Sequence, residues 1–335
     1  MSDNKKILLS HGGGGEEMQS LIGGLFFKHF GNEILDKMED SATLDVKGKI
    51  AFTTDSFTVT PLFFNGGDIG KIAIAGTVND LVSAGARPLY ISCGFIIEEG
   101  FLYKDLEQIV LSMKAELEKS GAKIVAGDTK VVPKGKADGI FINTSGIGEI
   151  ICGDISSHNL NEGDAIIISN EVGNHGACIL ANREELRVSG DLKSDCASLF
   201  APVSALFENG IKPKALRDAT RGGLSAVLNE WALASNVGIE VNESDILVSN
   251  EVRGLCEIFG FEPYELANEG TMAICVKQED AEKALEILRE FDECKKANII
   301  GKVLNSYKQR VILKSPWGTS RFLEPPKGEL LPRIC

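Results

Sequence analysis

IGKIAIAGTVNDLVSAGA, residues 69–86, carries apolar side chains at helical spacing, and Gly85 is placed to close the helix. Ahead of it KIAFTTDSF (49–57) reads as a strand, and behind it so does YISCGFII (90–97). DLEQIVLSMKAELEKSG (105–121) is a second helix, acidic early and closed by Gly121, and AKIVAGD (122–128) and GIFINTSGIGEI (139–150) are further strands. The order repeats beyond a polar, glycine-bearing boundary, EIICGDISSHNLNEG (149–163). DAIIIS is a strand, the segment after HGACILANREE is expected to be helical, and DCASLFAPVSALFENG (195–210) is another helix. GGLSAVLNEWALAS, GIEV, VRGLCEIFG, TMAICVK and the helix EDAEKALEILREF follow. This alternation predicts two α/β domains, over 41–150 and 160–310, between a glycine-rich head (1–40, with the short helical stretch MQSLIGGLFFKHF) and a tail (311–335).

The 335 residues, 43% of them hydrophobic, are enough for a substantial core. A net charge of −13 excludes wrapping nucleic acid, whose phosphates demand a basic surface. MSDNKKILLSHGGGG lacks the apolar stretch of a secretory signal, and no run of about 18 apolar residues occurs. A cytoplasmic protein without a membrane span is expected. No two of the eight cysteines form a C-x-x-C pair, which argues against a disulfide framework. Cys93 and Cys275 lie in apolar strands and read as small core residues.

Cys335 differs: it is the last residue, in LPRIC. A terminal position is usually the least ordered, so burial does not explain it. Four of the ten prolines (Pro316, Pro325, Pro326, Pro332) fall in the last twenty residues. They predict an extended, unpacked arm, whose segment from Glu324 to Cys335 spans up to roughly 40 Å when stretched.

HGGGG places Gly12, Gly13, Gly14 and Gly15 after His11. It offers unobstructed backbone N–H groups that can wrap phosphate oxygens, and is equally a run that leaves an N-terminus loose. No Gly-Lys-Ser/Thr follows, so it is not a Walker loop. Asp55 (TTDSF), Asp80 (TVNDL), Asp128 (AGDTK) and Asp218 (RDATRGG) stand where elements meet loops. Each alone reads as a cap or turn residue; together with HGGGG they point to Mg²⁺ and a nucleotide. Lys130, two residues after Asp128, shares its strand face and suits a phosphate or an oxyanion, or is simply solvated. Glu269 (ANEGTMAI) caps a turn or, if buried, serves as a general base. His175 (EVGNHGA) reads as structural.

HGGGG, TDSF, GGDIGKIAIAGTVNDL, SCGFIIEEG, AGDTKVV, INTSGIG, GNHGA, LRDATRGG and ANEG, closing on PRIC, are similar in content and order to the HypE-type hydrogenase maturation factors, from about His11 to Cys335. The resemblance implies a two-domain PurM-like fold, α/β (α+β), of the superfamily of aminoimidazole ribonucleotide synthetase and selenophosphate synthetase. It implies a homodimer formed through the N-terminal sheets. It implies ATP and Mg²⁺, with Gly12, Gly13, Gly14, Gly15, Asp55, Lys71 and Thr129 binding the nucleotide and Asp55, Asp80, Asp128 and Asp218 the metal.

The activity implied is ATP-dependent dehydration of a carbamoyl group on Cys335 to a thiocyanate, with Lys130 and Glu269 in the dehydration step. A HypF-type carbamoyltransferase would load the sulfur, and the HypC–HypD complex would receive the cyano group for [NiFe]-hydrogenase iron. A selenophosphate synthetase would carry its reactive Cys near the glycine-rich head, and residues 1–20 contain none. A non-catalytic thiol carrier is the alternative from another class. A redox-sensing thiol fits poorly, because no resolving cysteine is near in sequence.

Overall fold

The computed structural model describes residues 5–39, 41–184, 186, 188, 190–327, 331 and 333–335. The head forms α1 (Glu16–Leu21), a π-helical turn over Ile22–Phe27 that contains Gly23 and Gly24, and α2 (Lys28–Phe30). The first domain then runs β1 (Ile50–Phe57), the hairpin β2 (Phe63–Phe64) and β3 (Gly67–Asp68), α3 (Ile69–Ser83), β4 (Ala86–Glu98), α4 (Tyr103–Ser120), β5 (Lys123–Val132) and β6 (Ile140–Ile150). Its sheet has the order β1-β6-β4-β5; only β4 and β5, joined through α4, are parallel.

Asp68 caps α3 by accepting from the Lys71 N–H at 3.0 Å. Gly70 lets α3 and α4 touch: a Cβ there would lie 2.4 Å from the Ile109 carbonyl oxygen. α3 itself is buried over most of its circumference, its residues largely apolar or small, because it packs between the first sheet and elements of the second domain.

The second domain comprises β7 (Ala165–Ile168), α5 (Asn174–Arg183), α6 (Phe200–Glu208), β8 (Ala215–Asp218), α7 (Gly223–Ala234), β9 (Gly238–Asn242), α8 (Asn250–Phe259), β10 (Met272–Val276), α9 (Ala281–Leu288), β11 (Asn298–Leu304), β12 (Arg310–Lys314) and β13 (Ser320–Phe322). The sheet order is β13-β12-β9-β11-β7-β10-β8, with β9 and β12 parallel and the other pairs antiparallel. β7 and β10 are buried on both faces, which is why AIII and MAICV show no polar alternation. Ile167 and Ile274 join a core that continues through the first domain; Ile166, Ile168 and Ala273 face α7 and its neighbours.

Three expectations are corrected. The helix expected after HGACILANREE lies within that stretch, where small apolar residues pack; residues 191–199 carry none, their polar DLKSD offering no apolar face. The helix expected over 195–210 starts only at Phe200, because the Asn79 side chain accepts from the Leu199 N–H at 2.8 Å and donates to the Ala197 carbonyl at 3.0 Å, which takes the main chain before Phe200 out of helical pairing. The tail does not begin at 311, since β12 and β13 extend the second sheet to Phe322.

The end of the chain also departs from the expected unpacked arm, of which Gly328, Glu329, Leu330 and Pro332 lie outside the described residues. Ile334 is buried, and the last residues run beside the chain that leaves β1: Thr58 N–H donates to the Cys335 carbonyl at 2.8 Å and Thr60 N–H to the Arg333 carbonyl at 3.3 Å. Main-chain donors left free beyond β1, plus one apolar anchor, overcome the disorder usual at a terminus.

Candidate active site

β1, α3, β8 and the turn before β10 converge on a cavity of about 540 Å³ lined by Asp55, Asp80, Asp218, Arg221, Glu269 and Cys335, among others. Asp55 points inward from β1 and accepts from the Ser56 N–H at 2.8 Å. Asp80, on the last turn of α3, accepts from Thr53 Oγ1 at 2.6 Å. Asp218 ends β8 directly opposite Met272, which brings it beside Glu269 three residues upstream. Asp195 sets the Glu269 turn, its carboxylate accepting from the N–H groups of Glu269 and Gly270, both at 3.1 Å, and from Thr271 Oγ1 at 2.8 Å.

These carboxylates are crowded and partly or wholly buried. Burial, then the charges of Asp80 and Asp55, push the Asp218 carboxyl up to about 7. Asp80 is raised by burial and by Asp55, and Asp55 by burial. Glu269 is raised well above the ordinary carboxyl range by burial first and Asp218 next, and its buried Oε1 has no hydrogen-bond partner among the described residues. Burial and then Glu269 push the Cys335 thiol up to about 12, so the docked sulfur holds its proton.

The remaining expected residues gather elsewhere. Asp128, Thr129 and Lys130 lie on β5, the edge opposite β1, three strand spacings or roughly 14 Å away. Asp128 shares a cross-strand row with Gly94, Asn143 and Ser56 on the outer face of the sheet, whereas Asp55 faces inward. Lys130 Nζ lies 2.6 Å from Asp128 Oδ1.

Asp128 and the buried Thr129 border a second, largely apolar cavity of about 270 Å³ whose walls include Phe26, Phe30, Phe95 and Ile124, with Phe26 stacked on Phe95 at 4.9 Å. Lys71 lines neither cavity; its Nζ donates to the Gly66 carbonyl at 2.9 Å.

The glycine loop abuts β5 but lines neither cavity, and the expectation that all its N–H groups stand open is corrected. A Cβ on Gly12 would sit 2.6 Å from the Val131 nitrogen, so that glycine serves close packing whatever else it does. The Gly13 N–H closes the short helical turn before it, donating to the Ser10 carbonyl at 3.2 Å. Gly14 takes a left-handed conformation (φ 80°), and its N–H points to Met18 Sδ at 3.2 Å. Gly15 is the residue just before α1, and its carbonyl accepts the first bond of that helix from the Gln19 N–H at 3.1 Å. Local turn bonds thus occupy the donors of Gly13 and Gly14, because a chain entering a helix satisfies its N–H groups with whatever acceptor is nearest.

Within one chain the expected residues therefore form two groups, with Lys71 and the glycine loop in neither. Among the described residues no three His, Cys, Asp or Glu side chains enclose a metal position by themselves. Mg²⁺ nonetheless suits the first group, because it takes one or two carboxylates plus phosphate oxygens and water, and its charge would relieve the crowding at Asp55, Asp80 and Asp218.

Sequence reasoning missed four contributors. Arg221, 4.0 Å from Asp55, lay inside the quoted RDATRGG motif. Asp195 and Arg183 gave no local signal, and His175, read as structural, contacts the tail: its Nε2 is 2.7 Å from the Ile334 carbonyl oxygen.

Residues 38–150 match the family described as AIR synthase related protein, N-terminal domain, and residues 161–314 its C-terminal domain. The chain thus has the two-domain architecture of the AIR synthase-related proteins. Carbamoyl dehydratase HypE of Escherichia coli K12 is 44% identical over 98% of this chain and 99% of its own length. A crystal structure of hydrogenase maturation protein HypE in complex with ATP superposes with a TM-score of 0.94 at 44% identity, covering 98% of this chain and 99% of that one. The structure of a HypE–HypF complex matches with a TM-score of 0.80 and 46% identity, over 92% of this chain and all of the matched chain. The chain belongs to the HypE carbamoyl dehydratase family.

Proposed function

We propose that this chain dehydrates an S-carbamoyl group on its own Cys335 to a thiocyanate at the expense of ATP, supplying cyanide ligands for [NiFe]-hydrogenase iron. The observation that carries the reading is the docked tail, which holds the last sulfur in a carboxylate-lined cavity beside Glu269. A relative in this family binds ATP and another is found with HypF.

The chemistry follows from the leaving group. A thiocarbamate, Cys–S–C(O)NH₂, does not readily expel its oxygen as hydroxide. Attack of that oxygen on the γ-phosphorus of ATP releases ADP and leaves the oxygen on a phosphoryl group. Loss of phosphate, with both nitrogen protons given up, then yields Cys–S–C≡N. Glu269 accepts a proton from the nitrogen; its dry setting makes it a strong base once a cation and Arg221 favour its ionised form. Mg²⁺, when bound, would neutralise phosphate charge, with Asp55, Asp80 and Asp218 the residues that would hold it. The docked thiol, pushed up to about 12, is a poor nucleophile, so a HypF-type partner loads Cys335 with the tail swung out. The HypC–HypD complex then takes the cyano group from the exposed tail.

Lys130, Asp128 and the apolar cavity, which suits a purine ring, complete this site from a second copy. The outer face of the first sheet exposes Ile50, Phe52 and Ile96, an apolar surface fit for a homodimer. A two-fold axis running along the strands lays β5 of one sheet over β1 of the other, so Lys130 of the partner subunit stabilises the transferred phosphoryl oxygens. Subunit mixing tests this. K130M and C335S homodimers are each inactive in nitrile formation, and exchanging their subunits regains activity, because the intact Cys335 of one then meets the intact Lys130 of the other. Absence of any recovery after demonstrated exchange contradicts the shared site.

A further inference from the structure

His175 opens α5 inside GNHGA and is completely buried, with Phe64 edge-on to its ring at 5.5 Å. Both ring nitrogens are engaged: Nδ1 lies 2.8 Å from Ser194 Oγ, and Nε2 is the atom that meets the Ile334 carbonyl. A carbonyl only accepts, so Nε2 carries the proton. Ser194 Oγ accepts from the Cys196 N–H at 3.1 Å, which leaves its own hydrogen free to donate to Nδ1. Burial lowers the pKa of His175 and keeps the ring neutral, as this pattern requires.

Two turns along the same helix, Arg183 donates through Nε to the Thr60 carbonyl at 2.6 Å and through Nη2 to the Arg333 carbonyl. One helix thus presents donors to two successive tail carbonyls, and Thr58 takes the third. We infer that His175 is a positioning residue for the reaction at Cys335: its Nε2–H grips the peptide carbonyl one residue before the reacting sulfur, and Ser194 fixes the tautomer that does so. This rests on Cys335 being the residue that carries the reacting group. Gripping the amide that joins Ile334 to Cys335 fixes the Cα from which the sulfur projects, and being a neutral bond to main chain it adds no ion pair at that position for the tail to break when it detaches for loading. The contact reads main chain, so no tail side chain announces it in the sequence.

Alkylation of Cys335 by iodoacetamide, followed by mass spectrometry of the C-terminal peptide, reads docking directly. His175→Leu should raise the rate about tenfold, through loss of the bond and an unsatisfied buried carbonyl. His175→Gln, whose amide donates from nearly the same place, should return to within about twofold of the unaltered protein. An unchanged rate in folded His175→Leu, or a Gln variant as fast as Leu, overturns the assignment. Should the Leu variant not fold, ¹⁵N-histidine NMR of the unaltered protein decides: the His175 Nε2 proton should be protected from exchange and lose that protection when residues 331–335 are removed. Indifference of that signal to the tail also overturns it. Both readouts report docking whether or not the sulfur carries a carbamoyl group, so absent nitrile formation with docking intact counts against the proposed function alone.

Discussion

Asp218→Asn should stabilise the nucleotide-free protein, and by an amount that grows with pH. The Asp218 carboxyl rises from an ordinary 3.8 to about 7 in the folded chain, through burial and the nearby charges of Asp80 and Asp55. A raised folded value means that the folded state binds the proton more tightly. Its contribution is therefore fully present below 3.8 and lost as pH rises to about 7. A shift of about three units at 1.36 kcal/mol each amounts to about 4 kcal/mol, shared with Asp80 and Asp55 because the three titrate together. Asparagine keeps the shape and removes the titration. With an unfolding entropy of about 0.7 kcal/mol per K for a chain of this length, Tm of the variant should exceed that of the unaltered protein by up to about 6 °C at pH 8, by about 2 °C near pH 5 and by little below the ordinary value of 3.8. Scanning calorimetry across that range, without nucleotide or divalent cation, measures the difference. Adding Mg²⁺ with ATP should shrink or reverse it, since the cation then balances the carboxylates. A Tm difference that does not change with pH would refute the electrostatic account of this cavity.

Two further outcomes are expected. Ile334→Ala removes the buried tail anchor; a loss of about 2 kcal/mol shifts the docking equilibrium roughly thirtyfold, read as faster alkylation of Cys335 with unchanged Tm. An unaltered alkylation rate would mean that Ile334 does not hold the tail. Phe52→Glu puts a charge on the exposed face of the first sheet and, if the proposed homodimer forms through that face, should leave a monomer in sedimentation velocity, with loss of nitrile formation. A persisting, active dimer would place the interface elsewhere.

The parts of the fold visible in the sequence are those fixed by local periodicity. KIAFTTDSF alternates and becomes β1, and IGKIAIAGTVNDLVS keeps helical spacing and becomes α3. Less visible was what long-range packing decides. RVILK is a short strand pattern inside what read as the tail, and it becomes β12 because β9 supplies a parallel edge. The site shows the same division. TDSF, RDATRGG and ANEG can each be singled out as motifs, and the structure brings Asp55, Asp218 and Glu269 to one cavity. GDTK is as conspicuous in sequence, yet strand order sends it to the opposite edge of the sheet. Sheet order is set by contacts among distant segments, so spacing along the chain does not reveal that separation. HGGGG misleads in another way, since a run of glycines shows that donors exist but not that Gly13 and Gly14 already spend theirs on Ser10 and Met18. Asp195 is invisible in the sequence because its partners, two main-chain N–H groups and the Thr271 hydroxyl, lie about 75 residues away.

The most direct measurement is the mass of the C-terminal peptide from carbamoylated protein, taken before and after Mg·ATP. The account predicts loss of one water from the Cys335 adduct, dependent on hydrolysable ATP and abolished by Glu269→Gln. An adduct that stays intact through ATP turnover would make this chain a carrier of the carbamoyl group and contradict its role as the dehydratase.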